Sequence, residues 1–239
     1  MKEELTALYE SARLSIIEGD DDLALEVLEK AKELDADLMN LLLYGFGTGN
    51  EELANEYDQG KISIAELIYG TEIMKSVTDS VLDYLNDGKK AGPVETGRPR
   101  VLLATVAGDI HDIGKGIVAA CLRSAGFEVI DLGCEMPVEA IAGAAKEFNV
   151  DIIGTSALLT TTLPEQKKLE KYLRDLGERE NYLTMVGGAP CTDSWARRIG
   201  ADAYCSTAME AVEVARELIR KKKETENTAR KQLPRRHSF

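Results

Sequence analysis

The second half of the chain alternates between short apolar runs and amphipathic stretches, and this restricts its fold more than any other feature. Apolar runs at 101–106, 128–132, 152–156, 182–186 and 203–205 are each followed by helical periodicity, at 113–124, 138–148, 164–176, 193–199 and 208–222. A strand joined to the next through a helix returns parallel to its predecessor. Five such units in series predict a parallel sheet with helices on both faces.

The expected fold is α/β, a flavodoxin-like five-stranded domain with strand order 2-1-3-4-5. In such sheets the ligand lies beyond the carboxyl ends of the strands, at the switch point flanked by the first and third. That rule selects three loops: 108–114, 156–162 (SALLTTT) and 187–190 (GGAP).

The first half reads as helical throughout. Leu5, Leu8, Ala12 and Ile16 recur at helical steps, as do Leu23, Val27, Ala31 and Leu34 behind an acidic start at 20–22. A third pattern, from Leu38 to about Phe46, passes GTGN (47–50) before Glu51 to Tyr57, and a fourth begins near Ser63. This is a small helical bundle. The stretch 86–100 is rich in Gly, Pro and charge and reads as a linker. The expected domains are a helical cap at 1–88, a linker at 89–99, the α/β domain at 100–223 and a basic, flexible tail at 224–239.

Charge and composition exclude several function classes. The chain has a net charge of −13, yet its last twenty residues hold eight Lys or Arg against two Glu, so the body is more acidic still. An acidic body without a basic face argues against nucleic acid. No apolar stretch approaches the roughly 20 residues that span a bilayer. The N-terminus is acidic and amphipathic, unlike a signal peptide, which points to the cytoplasm. Cys121, Cys134, Cys191 and Cys205 form no CxxC pair, and only two histidines are present, so ordinary zinc spacing is missing. The cysteines are expected to be reduced core residues.

One of those two histidines stands in the turn after the first strand, VAGDIHDIGKGIV (106–118). The turn fails as a Walker loop, because five residues separate Gly108 from Gly114 and Lys115 is followed by Gly116. It fails as a dinucleotide fingerprint because residue 110 is isoleucine, and Asp109 would repel a pyrophosphate at the helix start. A phospho-acceptor domain would want an acid cluster and a lysine after the last strand, a hydrolytic metal site further histidines, and a nucleophile elbow G-x-S-x-G; none is present. A lone imidazole with an aspartate two residues before it suits an axial ligand to a metal whose other ligands come from a cofactor. The turn alone equally permits a loop histidine with a purely structural role.

The turn has company. Asp109-Ile110-His111-Asp112-Ile113-Gly114 matches the D-x-H-x-x-G signature of cobalamin-binding domains, Ser156-Ala157-Leu158 the S-x-L element, and Gly187-Gly188 the following G-G, with 28 residues between Leu158 and Gly187. With its helical cap the chain resembles the cobalamin module of methionine synthase. At this size it is most similar to the free-standing corrinoid methyl carriers that serve methylamines, methanol or quaternary amines.

The resemblance implies cobalamin as cofactor, held base-off with His111 as the axial ligand to cobalt, Asp109 on the other ring nitrogen, and Thr162 completing the relay. Gly108, Ile110, Asp112, Ile113 and Gly114 would belong to the same cradle. Ser156, Leu158, Thr160, Gly187, Gly188 and Ala189 would line the slot for the nucleotide tail, with Tyr204 and Cys205 meeting its end. Cob(I)alamin would accept a methyl group from a donor on a substrate-specific methyltransferase. As methylcobalamin it would donate that group to a second methyltransferase, serving tetrahydrofolate or coenzyme M, with a reductive activase in support. The protein would be a carrier and not itself a catalyst. Two other readings share the signature: the small subunit of an adenosylcobalamin-dependent mutase, and a cobalamin-based sensor. The first usually lacks such a cap, and the second needs a DNA-binding module. The chain departs from the family at Gly116, where asparagine is frequent. It also has Ile62-Ser63-Ile64-Ala65-Glu66-Leu67 where an aromatic-Leu-Pro segment is common, so Ile64, Leu67 or Met74 is expected to cover the upper corrin face.

Overall fold

A computed structural model of the chain describes residues 2–87 and 97–232, which fall into two compact units, one from each stretch. Most of the linker expected at 89–99, and the end of the tail at 233–239, lie outside the described residues.

The first unit is helical: α1 (Lys2–Ile17), α2 (Asp21–Glu33), α3 (Leu38–Leu41), a π-helical turn (Leu42–Phe46), α4 (Gly47–Asp58) and α5 (Ile64–Asp87). Side chains fix where its helices begin. Asp20 accepts from the Leu23 amide at 2.9 Å, and Asp37 from that of Asn40 at 3.0 Å. Ser63 and Glu66 cap one another reciprocally at 2.7 and 3.2 Å, a capping box that starts α5. Leu8, Ala12, Ile16, Leu28, Leu41, Leu42, Phe46, Leu53, Val77 and Val81 form the core.

The helical pattern passes GTGN without interruption: Gly47 to Asn50 form the first turn of α4. A Cβ on Gly49 would lie 2.4 Å from the Arg13 carbonyl oxygen, so the glycine serves close packing of α4 on α1. Met74 is 3% exposed among the core residues, which removes it from the three expected to cover a cofactor; Ile64 is exposed and Leu67 half-buried.

The second unit is a five-stranded parallel sheet in the order β2-β1-β3-β4-β5. Its strands are β1 (Arg100–Thr105), β2 (Glu128–Asp131), β3 (Ile152–Ser156), β4 (Leu183–Gly187) and β5 (Ala203–Tyr204). Between and after them run α6 (Ile113–Ser124), α7 (Val138–Glu147), α8 (Leu163–Asp175), α9 (Asp193–Ile199) and α10 (Ala208–Gln232). Alternate residues of a strand face opposite sides. Leu102, Ala104 and Ile153 join a core with Ile141 and Ala145 of α7 and Leu169 and Leu173 of α8. Val101, Leu103 and Ile152, equally buried, face the other way, toward the side of α6 and α10. Helix α10 continues to Gln232, ten residues past its expected end, so much of the segment read as a flexible tail is helical. No helix among the described residues is long and apolar enough to cross a membrane.

Candidate functional site

The register of β1 with β3 pairs Thr105 with Ser156, so the loops that follow the two strands leave the sheet side by side. Asp109 sits between them with no exposed surface. Its Oδ1 accepts from the His111 amide at 3.1 Å and lies 2.7 Å from His111 Nδ1. Its Oδ2 accepts from the Thr162 hydroxyl at 2.6 Å and from the Leu158 and Leu159 amides at 2.7 and 3.3 Å. Burial, the largest single influence, raises the pKa of this carboxyl. Hydrogen bonds from Thr162, His111 and Leu158 outweigh it and hold the group well below the usual carboxylate range.

An ionised carboxylate has no proton to give, so the proton of the short contact to His111 resides on Nδ1. In the neutral ring this fixes the tautomer and leaves the lone pair on Nε2. The His111 side chain is 46% exposed. The chain therefore presents one basic nitrogen on a ring held from behind by a buried anion. That is the arrangement of a metal-ligating histidine with its carboxylate partner. No cluster of three or more His, Cys, Asp or Glu that could hold a metal alone occurs among the described residues.

The loop around this nitrogen is apolar and bare. Ile110, Leu158 and Leu159 are exposed by 66%, 39% and 42%. Gly114 lies inside α6 with ordinary φ, and a Cβ there would meet nothing within 4 Å. Nothing in the chain itself requires glycine at this position. Gly188 is the opposite case: its φ is +116°, and a Cβ would fall 1.9 Å from the Ala157 carbonyl oxygen. Its neighbour Gly187 accepts the Ala157 amide at 3.1 Å, which ties the β4 loop to the β3 loop.

The remaining residues expected at the site sort by position. Gly108 takes a φ of +76° in the turn. Asp112 starts α6 through its carbonyl, which accepts the Gly116 amide at 2.8 Å, and its side chain makes no cap. Ile113 is the first residue of α6, and Ser156 ends β3 half-buried. Thr160 and Ala189 are exposed, and Thr160 lies outside the Asp109 network. Tyr204 packs on Val186, Cys191 and Trp195. Burial pushes the Cys205 thiol up to about 12 and that of Cys191 up to about 11, so neither ionises near neutrality. None of the four cysteines forms a disulfide; Cys121 and Cys191 are buried, whereas Cys134 and Cys205 are only partly so, against the expectation of four core residues.

Three residues not expected at the site hold it together. The Thr105 hydroxyl donates to the His111 carbonyl at 3.1 Å. Gln166, buried in α8, donates to the carbonyls of Thr155 and Gly187, both at 3.1 Å, and accepts from Trp195 Nε1 at 2.9 Å and the Cys191 thiol at 3.3 Å. Lys115 is buried against Asp131 at 2.5 Å. A polar side chain on the buried face of an amphipathic helix is the signal for Gln166 and Lys115 alike.

Comparison with known proteins bears on this geometry. Two family models, each described as B12 binding domain, match residues 99–224 and 8–81. The chain is 40% identical over 206 residues to dimethylamine corrinoid protein 1 of Methanosarcina acetivorans, covering 86% of this chain and 94% of that one. Among solved structures, the monomethylamine corrinoid protein of Methanosarcina barkeri aligns with a TM-score of 0.80 at 27% identity, over 89% of this chain and 99% of that one. The methanol:cobalamin methyltransferase complex of the same organism aligns with a TM-score of 0.50 at 26% identity, over 89% and 80%.

Proposed function

We propose that this chain, which belongs to the B12 binding domain family and within it to the corrinoid proteins that carry methyl groups on cobalamin, takes its methyl group from a methylated amine. The donor is held by a substrate-specific methyltransferase, and a second methyltransferase receives the group for tetrahydrofolate or coenzyme M, in the cytoplasm, with an activase restoring the reduced cofactor. Relatives named for dimethylamine and monomethylamine support the donor class, and a solved complex of a related carrier with a methyltransferase supports the partnership.

The observation that carries the reading is the His111 ring, whose Nδ1 is held by Asp109 at 2.7 Å so that Nε2 is left to bind. When bound, the corrin cobalt supplies both the nucleophile and the methyl carrier. His111 would hold it through Nε2, Asp109 would set the tautomer and basicity of that ring, and Thr162 holds Asp109. The bare Gly114 and the exposed Ile110, Leu158 and Leu159 suit an apolar macrocycle lying on the loops. Ser156, Leu158, Gly187, Gly188 and Ala189 line the slot for the nucleotide tail, and Tyr204 and Cys205 stand at its far end.

The test is anaerobic reconstitution with hydroxocobalamin, reduction, and incubation with mono-, di- and trimethylamine, each with its own methyltransferase. Methylation of the reduced holoprotein by at least one amine is expected. Methylation from methanol or a quaternary amine alone would overturn the donor class. His111→Ala should bind the corrin but lose the visible spectrum of a histidine-ligated form, and an unchanged spectrum would overturn the ligand assignment.

A further inference from the structure

Lys115 is badly placed for stability. It lies in the first turn of α6, where the helix end is partly positive and disfavours a cation. It is only 6% exposed, on the helix face it shares with the buried Ala119 and Leu122. Removing an ammonium from water carries a penalty that a methionine would avoid. Its Nζ is instead bonded to Asp131 Oδ1 at 2.5 Å, at the last residue of β2, which pairs with Leu103 of β1.

Asp131 leads into a segment that grips the histidine loop at three places. The same Oδ1 accepts the Gly133 amide at 2.9 Å. The Gly133 carbonyl accepts the Thr105 amide at 2.9 Å, and the Thr105 carbonyl accepts the Met136 amide at 3.0 Å. The Asp109 carbonyl accepts the Glu135 amide at 3.0 Å. Glu135 holds a φ of +55°, a left-handed conformation that a non-glycine residue adopts only under constraint. Thr105, held twice by this segment, then donates its hydroxyl to the His111 carbonyl. Asp109 thus fixes the imidazole from the β3 side, and the 131–136 segment fixes the backbone beneath it from the β2 side.

We infer that Lys115 is a positioning residue for His111. Through Asp131 it pins the 131–136 segment to α6, and the segment in turn holds the histidine loop at the height at which Nε2 meets cobalt. The inference rests on the assignment of His111 as the axial ligand. Apolar replacement of a buried ion pair is often neutral or stabilising, so the pair is separable from the fold.

The experiment compares full-length wild type, Lys115→Met, Asp131→Leu and the double variant, each made with and without 15N-histidine and loaded with hydroxocobalamin. Three quantities are read: the cooperative melt by circular dichroism, the dissociation constant for cobalamin, and the nitrogen hyperfine pattern of the one-electron-reduced cobalt. In wild type, labelling should convert the 14N triplet to a 15N doublet. The double variant should melt like wild type, bind cobalamin about 10-fold more weakly, as when groups that orient a metal ligand are lost, and show the doublet in only part of the population.

Folded variants with wild-type affinity and a complete doublet would overturn the role of Lys115 and leave the ligand assignment standing. A wild-type spectrum indifferent to labelling would overturn the ligand assignment itself. Loss of the cooperative melt in all three variants would make Lys115 a residue of the fold and would also overturn the inference.

Discussion

At the scale of single residues the site is organised by one carboxylate. Asp109 is fully buried yet ionised, because five donors converge on its two oxygens. A hydrogen bond to a charged group contributes about 1.5–3 kcal/mol. Thr162→Val should therefore lower the unfolding free energy of the apoprotein by about 2 kcal/mol in urea titrations, whereas Thr162→Ser should stay near wild type. The pH dependence has a definite sign. Because the folded-state pKa of Asp109 is depressed, its contribution is full above the unfolded value of about 3.9 and is lost as pH falls below it. The urea midpoint of wild type should fall more steeply below about pH 4 than that of Asp109→Asn, which has no charge to lose; parallel curves would reject the ionised state. Much of this residue-level pattern was legible in the sequence, since D-x-H within a strand–helix turn limits what the two side chains can do for each other. The Leu158 and Leu159 amides were not, because backbone donors leave no mark on residue identity.

At the scale of elements, α8 is the strut between the ends of β3 and β4. Its Gln166 satisfies two carbonyls, an indole and a thiol within the core, using both ends of one amide. Gln166→Leu keeps the volume and takes the Gln166 bonds from the Trp195 indole and the Thr155 carbonyl, while the Gly187 carbonyl keeps the Ala157 amide and the Cys191 thiol; a buried group left unpaired costs about 1–3 kcal/mol. The α/β unit should lose about 2 kcal/mol and bind cobalamin more weakly, as the Gly187–Gly188 loop loses one of its ties to β3. Equilibrium unfolding and corrin titration check both, and unchanged values would place the anchor elsewhere. Alternating runs revealed the strands and their order because a parallel sheet buried on both faces has little freedom in composition. The first half was harder to read. Gly47 and Gly49 blur the helical pattern locally, and the reason for Gly49 is the Arg13 carbonyl, distant in sequence and packed where no side chain fits. Lys115 was misleading for a related reason: judged against the spacing of a phosphate loop it failed, and its partner Asp131 lies across a helix.

At the scale of the whole molecule, the two units divide the work unequally. Every hydrogen-bond partner given above for Asp109 and His111 belongs to residues 105–162, and the brace through Lys115 closes within the same unit. The helical unit contributes none of these bonds. Its core is tight, with Ala12, Ile16, Leu41, Leu42 and Phe46 fully buried, but a unit of fewer than 90 residues buries a smaller share of its surface than a larger domain. Ligation should therefore survive removal of the helical unit. A fragment of residues 97–239, loaded with hydroxocobalamin and reduced by one electron, should give the same histidine hyperfine pattern as the full chain. If the fragment binds the corrin without histidine ligation, then the geometry of His111 depends on the helical unit. The hydrogen bonds inside the α/β unit would then be insufficient to set the ligand.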